Sequence, residues 1–345
     1  MKKPVLAITM GDPAGIGPEV TVKALQHREL WEKSIPVVVG EPYVLEDALR
    51  FSDLKQAVHS IRTPEKAVGE PGMIECLDLH ALAPENYRLG QVSAACGEAA
   101  FQYIVKAIDY AMAGRVAGVV TAPINKEALH LAGHLYSGHT EIFADYTHTP
   151  HYAMLLMSGR LRVIHCTTHV SMRKACDLIT RERVGEIIWL ADQAMRMMGL
   201  EHYTIGVAGL NAHCSEKGLF GTEEAEAISP AIQDAQARGI PVEGPIPPDT
   251  VFVKALAGQY DVVVAMYHDQ GHIPLKVVGF QLDAATGRFT SLSGINTTIG
   301  LPILRTSVDH GTAFDKAGKN LANEASMVEA LELAAQMAPY YQKKE

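Results

Sequence analysis

The chain has 345 residues and a net charge of −9 with its basic residues scattered, which excludes a nucleic-acid partner, since that needs a clustered basic face. No apolar span approaches the roughly 18 residues of a membrane-crossing helix, and the length suits two ordinary domains. Five cysteines (Cys76, Cys96, Cys166, Cys176 and Cys214) make no Cys-x-x-Cys pair and no even framework, and the first apolar run is too short for a signal peptide, so the expected location is a reducing cytoplasm.

The first apolar run, VLAITM (5–10), reads as a strand, passes through the turn GDPAGIGPE and enters the helical segment PEVTVKAL. The order of strand, turn and helix is that of a phosphate loop, but the spacing is not. Gly11, Gly15 and Gly17 give Gly-x-x-x-Gly-x-Gly with no Lys-Ser/Thr behind it, which excludes the common dinucleotide and NTPase fingerprints. Further β-branched runs follow at IPVVVG (35–40), VAGVVTA (116–122), LRVIHCTTH (161–169), YTIGVAGL (203–210) and YDVVVAMY (260–267). Helical patterns lie between or after them at residues 96–114, 181–199 and 326–341, the first two closed by Gly114 and Gly199. The alternation predicts an α/β protein with a largely parallel sheet.

Polar residues follow the strands in a regular way. The run 116–122 leads to Pro123, Asn125 and Lys126, the run 161–169 ends at His169, the next reaches Asn211 and His213, and the last reaches His268, Asp269 and Gln270. Ligands of parallel α/β sheets bind outside the carboxyl ends of the strands, so these side chains can converge. Three neutral imidazoles with an open position suit zinc or another divalent ion; accidental placement of three among 15 histidines is the plainer alternative. Cys166 and Cys214 are either soft ligands or inert buried thiols. His139-Thr140-Glu141 opens a helical segment, either as a plain cap with an acidic first turn or as an anion site. Lys276, Arg305, Asp309 and His310 would add the local positive charge, or its counterpart, that an acidic protein needs around an anion.

The motifs GDPAGIGPE, TAPINK, SGHTE, TTH, GLNAH, GPIPPDT, AMYHDQGHIPLK and GINTTIGLPILRTSVDHGTA run in this order from residue 11 to residue 313. Together they resemble the 4-hydroxythreonine-4-phosphate dehydrogenase family, and the first is similar to the GDGIGPE turn of isocitrate and isopropylmalate dehydrogenases. The resemblance implies two α/β/α domains of the isocitrate/isopropylmalate dehydrogenase-like fold with a cleft between them, residues 1–135 plus 300–345 and residues 136–299, the second carrying dimer contacts. It implies a homodimer whose active site is shared across the interface. His169, His213 and His268 match its divalent-metal ligands (Zn, Co, Mn or Mg), the third supplied across the dimer. His139, Thr140, Lys276, Asn296 and Arg305 match substrate positions, and Asp249 matches a residue near the substrate. Lys276, Asp249 or a water on the metal would take the alcohol proton. Gly15, Gly17 and Asp309 are assigned to NAD or NADP.

The implied reaction is NAD(P)- and metal-dependent oxidation, with decarboxylation, of 4-(phosphooxy)-L-threonine in pyridoxal 5'-phosphate biosynthesis. Alternatives are a catabolic paralogue acting on D-threonate or D-erythronate 4-phosphate, or on a cis-dihydrodiol of an aromatic carboxylate; a metal-dependent hydrolase or acyl-phosphate transferase is the alternative of a different class. The chain departs from the biosynthetic pattern in an extra segment, residues 281–293, read as a hairpin with Thr286-Gly287 at its turn. It also has Ala212 in place of a proline and lacks a histidine in KGLFGTEE.

Overall fold

The computed structural model describes residues 3–284, 288–292 and 294–341. The chain divides into two compact units, residues 1–150 with 301–345, and residues 151–300. The first contains β1 (Val5–Thr9), β2 (Ile35–Gly40), β3 (Ala57–Ile61), β4 (Met73–Asp78) and β5 (Gly118–Thr121). The second contains β6 (Ala153–Ser158), β7 (Leu161–His165), β8 (Ile205–Ala208), β9 (Val242–Ile246), β10 (Val262–Ala265), β11 (Phe280–Asp283), β12 (Arg288–Leu292) and β13 (Ile295–Ile299). The chain then returns to the first unit with β14 (Arg305–Val308).

In the first unit the strands lie in the order β3-β4-β2-β1-β5-β14, and every neighbouring pair is parallel. In the second the order is β13-β6-β7-β10-β8-β9, with β13, β6 and β7 antiparallel neighbours and the rest parallel. All six apolar runs read from the sequence are strands. They are legible because parallel strands covered on both faces bury nearly every side chain. The chain is a mixed α/β protein, and no helix among its described residues is long and apolar enough to cross a membrane.

The helix Ala94–Met112 is capped by Ser93, whose hydroxyl accepts the amide of Cys96 at 3.1 Å, and Thr180 caps the helix Arg181–Met197 in the same way through Arg183 at 3.2 Å. Both end where Gly114 and Gly199 take φ of 70° and 76°. Residues 136–150, expected in the second domain, belong to the first unit. Their helix, His139–Tyr146, buries Ile142 and Phe143 there, and Tyr146 meets Phe101 edge-on with ring centroids 5.7 Å apart. β11 and β12 pair as an antiparallel hairpin, as read from the sequence; Thr286-Gly287 lie outside the described residues.

Candidate active site

In the second unit, β7 and β10 are parallel neighbours with His165 opposite Ala265, so the segments after them emerge side by side. One carries His169 and the other opens the helix His268–Gly279; the two rings stand 5.8 Å apart between centroids. A cavity of about 480 Å³ there is lined by Thr168, His169, Met172, Tyr267, His268 and Asp269. His268 Nδ1 lies 2.7 Å from Asp269 Oδ1, so Nδ1 carries the proton and Nε2 keeps the lone pair that a metal needs. Beneath it His272 stacks at 3.7 Å with its planes 11° from parallel, and His165 stands 4.8 Å further in. Burial, then the neighbouring His272 and His268 imidazoles, which disfavour a further proton there, push His165 down to about 3, so it stays neutral.

His213 follows β8, the strand beside β10, in the turn Ala212–Glu216. Among the described residues, three ligand atoms within 4.8 Å of one another occur only at Glu41, Asp78 and His80 in the first unit. His169, His213 and His268 do not close that far within one chain. As donors they fit a divalent transition ion: nitrogen atoms at strand ends, one of them with its tautomer fixed by a carboxylate. Asn296 on β13 donates to the Met154 sulfur at 3.2 Å, and its Oδ1 is a buried acceptor with no hydrogen-bond partner. Lys276 holds its ammonium 4.3 Å from the Phe280 ring centroid. Asp249 is exposed ahead of the helix Val251–Leu256. The Cys214 thiol is pushed up to about 11 by burial, then Glu224, with Asp249 adding to the effect.

The first unit gathers the expected anion group. His139 and Thr140 open their helix, and Arg305, buried on β14, donates to the Thr121 hydroxyl at 2.9 Å. Its guanidinium stands 5.6 Å from the Phe143 ring, and burial, opposed by Glu141, pushes it down to about 9, so it remains a cation at neutral pH. His139 Nε2 is buried with no hydrogen-bond partner, and burial followed by the Arg305 charge holds the ring well below its ordinary value. A buried cation, a neutral imidazole and a hydroxyl at a helix start form a site that an anion would complete.

The glycine-rich loop is a different matter. Four of its amides are already taken: Asp12 donates to Pro123 O, Ala14 to Asp12 Oδ1, Gly15 to Asp12 O and Ile16 to Thr312 O, all at 2.9–3.1 Å. A Cβ on Gly17 would sit 2.3 Å from Met10 O, and one on Gly15 3.0 Å from Thr312. The glycines let the loop pack on its own unit. Asp309 lies half-buried just past β14.

Across residues 32–334 the chain matches the family described as pyridoxal phosphate biosynthetic protein PdxA. It belongs to the PdxA family. This PdxA chain is 47% identical to the D-threonate 4-phosphate dehydrogenase of Pectobacterium atrosepticum, covering 97% of this chain and 99% of that protein. Its fold is similar to the crystal structure of 4-hydroxythreonine-4-phosphate dehydrogenase from Klebsiella pneumoniae, with a TM-score of 0.85, 44% identity and coverage of 97% and 100%. It is also similar to a terephthalate 1,2-cis-dihydrodiol dehydrogenase from Burkholderia xenovorans, with a TM-score of 0.68, 30% identity and coverage of 97% and 98%. The chain is an oxidoreductase of this dehydrogenase family.

Two acidic residues of the PdxA chain escaped the sequence reading. Asp12 is fully buried with Oδ2 unpartnered, and burial pushes its carboxyl up to about 6, against the pull of the Ala14 amide. Glu224 is buried behind the His213 turn, where its Oε1 accepts the amides of Leu210 (2.8 Å) and Asn211 (2.7 Å). Its Oε2 accepts from Asn211 Nδ2 (2.9 Å) and from the Ser215 hydroxyl. Burial raises this carboxyl, and the hydrogen bonds from Ser215 and Asn211 carry it below its ordinary value. Asp12 stands within the motif GDPAGIGPE and Glu224 follows GLNAH, but neither motif marks its carboxylate as buried.

Proposed function

We propose that this chain oxidises D-threonate 4-phosphate at C3, with NAD or NADP as oxidant and a divalent ion at His169, His213 and His268, and that the resulting β-keto acid loses CO2. The observation that carries the substrate is the near full-length kinship, at 47% identity, with a relative of that name. The buried cationic group in the first unit supports it. A phosphate at Thr140, His139 and Arg305 would repay the burial of a guanidinium that has an aromatic ring on one side. The ion supplies Lewis-acid polarisation of the reacting hydroxyl. NAD or NADP supplies the hydride acceptor.

The chain's own residues do the rest. Asp269 holds His268 in the tautomer that offers Nε2, and the stacked His272 fixes the plane of that ring. Asn296 offers a buried acceptor to a substrate hydroxyl, while Lys276 and Asp249 are the candidates for removing the alcohol proton. We also place the active site in a homodimer. The three histidines do not close within one chain, and Ile273 and Val277, one helical turn apart on the helix His268–Gly279, are 61% and 76% exposed.

A second reading, 4-(phosphooxy)-L-threonine as substrate in pyridoxal phosphate synthesis, is favoured by the likeness to the Klebsiella structure. The test is NADH formation by metal-loaded protein, with kcat/KM compared on D-threonate 4-phosphate, 4-phosphohydroxy-L-threonine and a terephthalate cis-dihydrodiol. The first is expected to lead. A lead for the second substrate assigns the chain to the biosynthetic branch, and turnover without added NAD or NADP rejects the dehydrogenase chemistry. Light scattering that gives the mass of a single chain at assay concentration rejects the shared site.

A further inference from the structure

His213 reaches its place through backbone that L-residues avoid. Five residues in succession, His213, Cys214, Ser215, Glu216 and Lys217, take φ of 51°, 54°, 66°, 45° and 58°, and none is glycine. Of their side chains only Ser215 is buried; His213, Glu216 and Lys217 are exposed. Core packing therefore does not repay the conformation, and backbone held in a sparse region by its surroundings is a mark of functional sites.

One buried carboxylate ties the base of the turn to its middle, beside the backbone bond from Cys214 to Asn211 O (3.1 Å) and a bond from Asn211 Nδ2 to Glu223 Oε2 (2.7 Å). Glu224 takes the amides of Leu210 and Asn211 just before the turn, the Asn211 side chain, and the Ser215 hydroxyl at its middle. It reaches them from the π-helical turn Glu224–Ile228, and the residue just past β8 leaves room for it by being a glycine. A Cβ on Gly209 would lie 3.1 Å from Glu224 Oε1 and 2.8 Å from Cys214 Sγ.

We propose that Glu224 is a positioning residue for the metal centre, a clamp whose buried carboxylate holds the left-handed turn and so presents His213 to the ion. The proposal rests on the reading of His213 as a ligand. Without the clamp, residues 213–217 fall back to right-handed or extended backbone and the imidazole moves with them. Glutamine at 224 keeps the volume but turns an NH2 toward groups that are all donors.

The test is titration of the full chain with Co(II), followed by visible absorption. Glu224→Gln is expected to weaken the Co(II) dissociation constant by roughly 10–100-fold while the circular dichroism spectrum stays native. Adding Lys217→Gly is expected to restore part of the loss, because glycine adopts φ near +60° freely. A purely structural role would lower the melting temperature and leave the dissociation constant of the folded variant unchanged. If Glu224→Gln does not fold, Ser215→Ala removes one leg of the clamp and is expected to give a smaller weakening. Equal Co(II) affinity in the folded variant and the wild type overturns the clamp and leaves His213 a ligand. Weakening that glycine does not relieve also overturns it, assigning the effect to the charge of Glu224. A wild-type chain that binds no Co(II) removes the ligand reading itself, and the proposal falls with it.

Discussion

Two loops of this protein follow a buried parallel strand, and they solve opposite problems. The loop after β1 uses Gly11, Gly15 and Gly17 to fold tightly onto its own unit, with the amides of Asp12, Ala14, Gly15 and Ile16 satisfied internally. The turn after β8 uses no glycine at residues 213–217, adopts a conformation that costs each L-residue about 1 kcal/mol, and borrows a carboxylate to stay there. The loop that looks like a ligand cradle in the sequence is packed closely onto its own unit. The one without a glycine signature presents a candidate ligand. Glycine content alone therefore says where a backbone is crowded, and left-handed backbone without glycine says where a side chain has to hold it.

The largest expected effect separates the loops by function. His268→Ala, like His213→Ala, should take turnover to background and abolish retention of metal through desalting, whereas substitutions in the loop after β1 should act on stability. Gly11→Ala is the strongest of those, since a Cβ there would sit 2.3 Å from Pro123 O on backbone at φ 76°. A loss of about 3 kcal/mol in denaturant unfolding is expected, and a loss below about 1 kcal/mol would mean the loop has slack. Lys217→Gly alone should go the other way, raising stability by about 0.5–1 kcal/mol, because it removes left-handed strain at an exposed position. A destabilised variant would erase the contrast.

The smallest effect is a change of slope with pH. His139 has a folded pKa well below its unfolded value of about 6.5, so the stability from burying it neutral is complete above that pH and is lost as pH falls below it. His139→Gln should therefore lose less melting temperature than the wild type between about pH 7.5 and about pH 5. Parallel pH profiles for the two proteins would place the imidazole in water.

The runs VLAITM, IPVVVG and YDVVVAMY were legible because both faces of their strands are buried, so hydropathy and structure coincide. β14 was not. Its four residues, Arg305 to Val308, are all buried, yet two are polar and one is charged, held by bonds such as Thr306 Oγ1 to Ala330 O at 2.9 Å. β13 hides Thr297 and Thr298 in the same way, and β3 is mostly exposed. Among candidate site residues, His169, His213, His268, His139 and Arg305 could be named from motifs, because those side chains sit at strand ends and helix starts whose order the chain preserves. Asp12 and Glu224 were not, since a buried carboxylate is created by the backbone amides folded around it, and no local pattern records them.

The return of the chain to its first unit has a consequence for biosynthesis. β5 emerges from the ribosome with β1 on one side and nothing on the other; its second partner, β14, is made only after residues 151–300 have been translated. Until then an apolar strand of four buried residues, Gly118–Thr121, has an open edge that can pair with any other chain. The second unit, continuous in sequence, is under no such delay. Stalled or truncated translation products should therefore aggregate through the first unit, and slow elongation across the second prolongs that exposure.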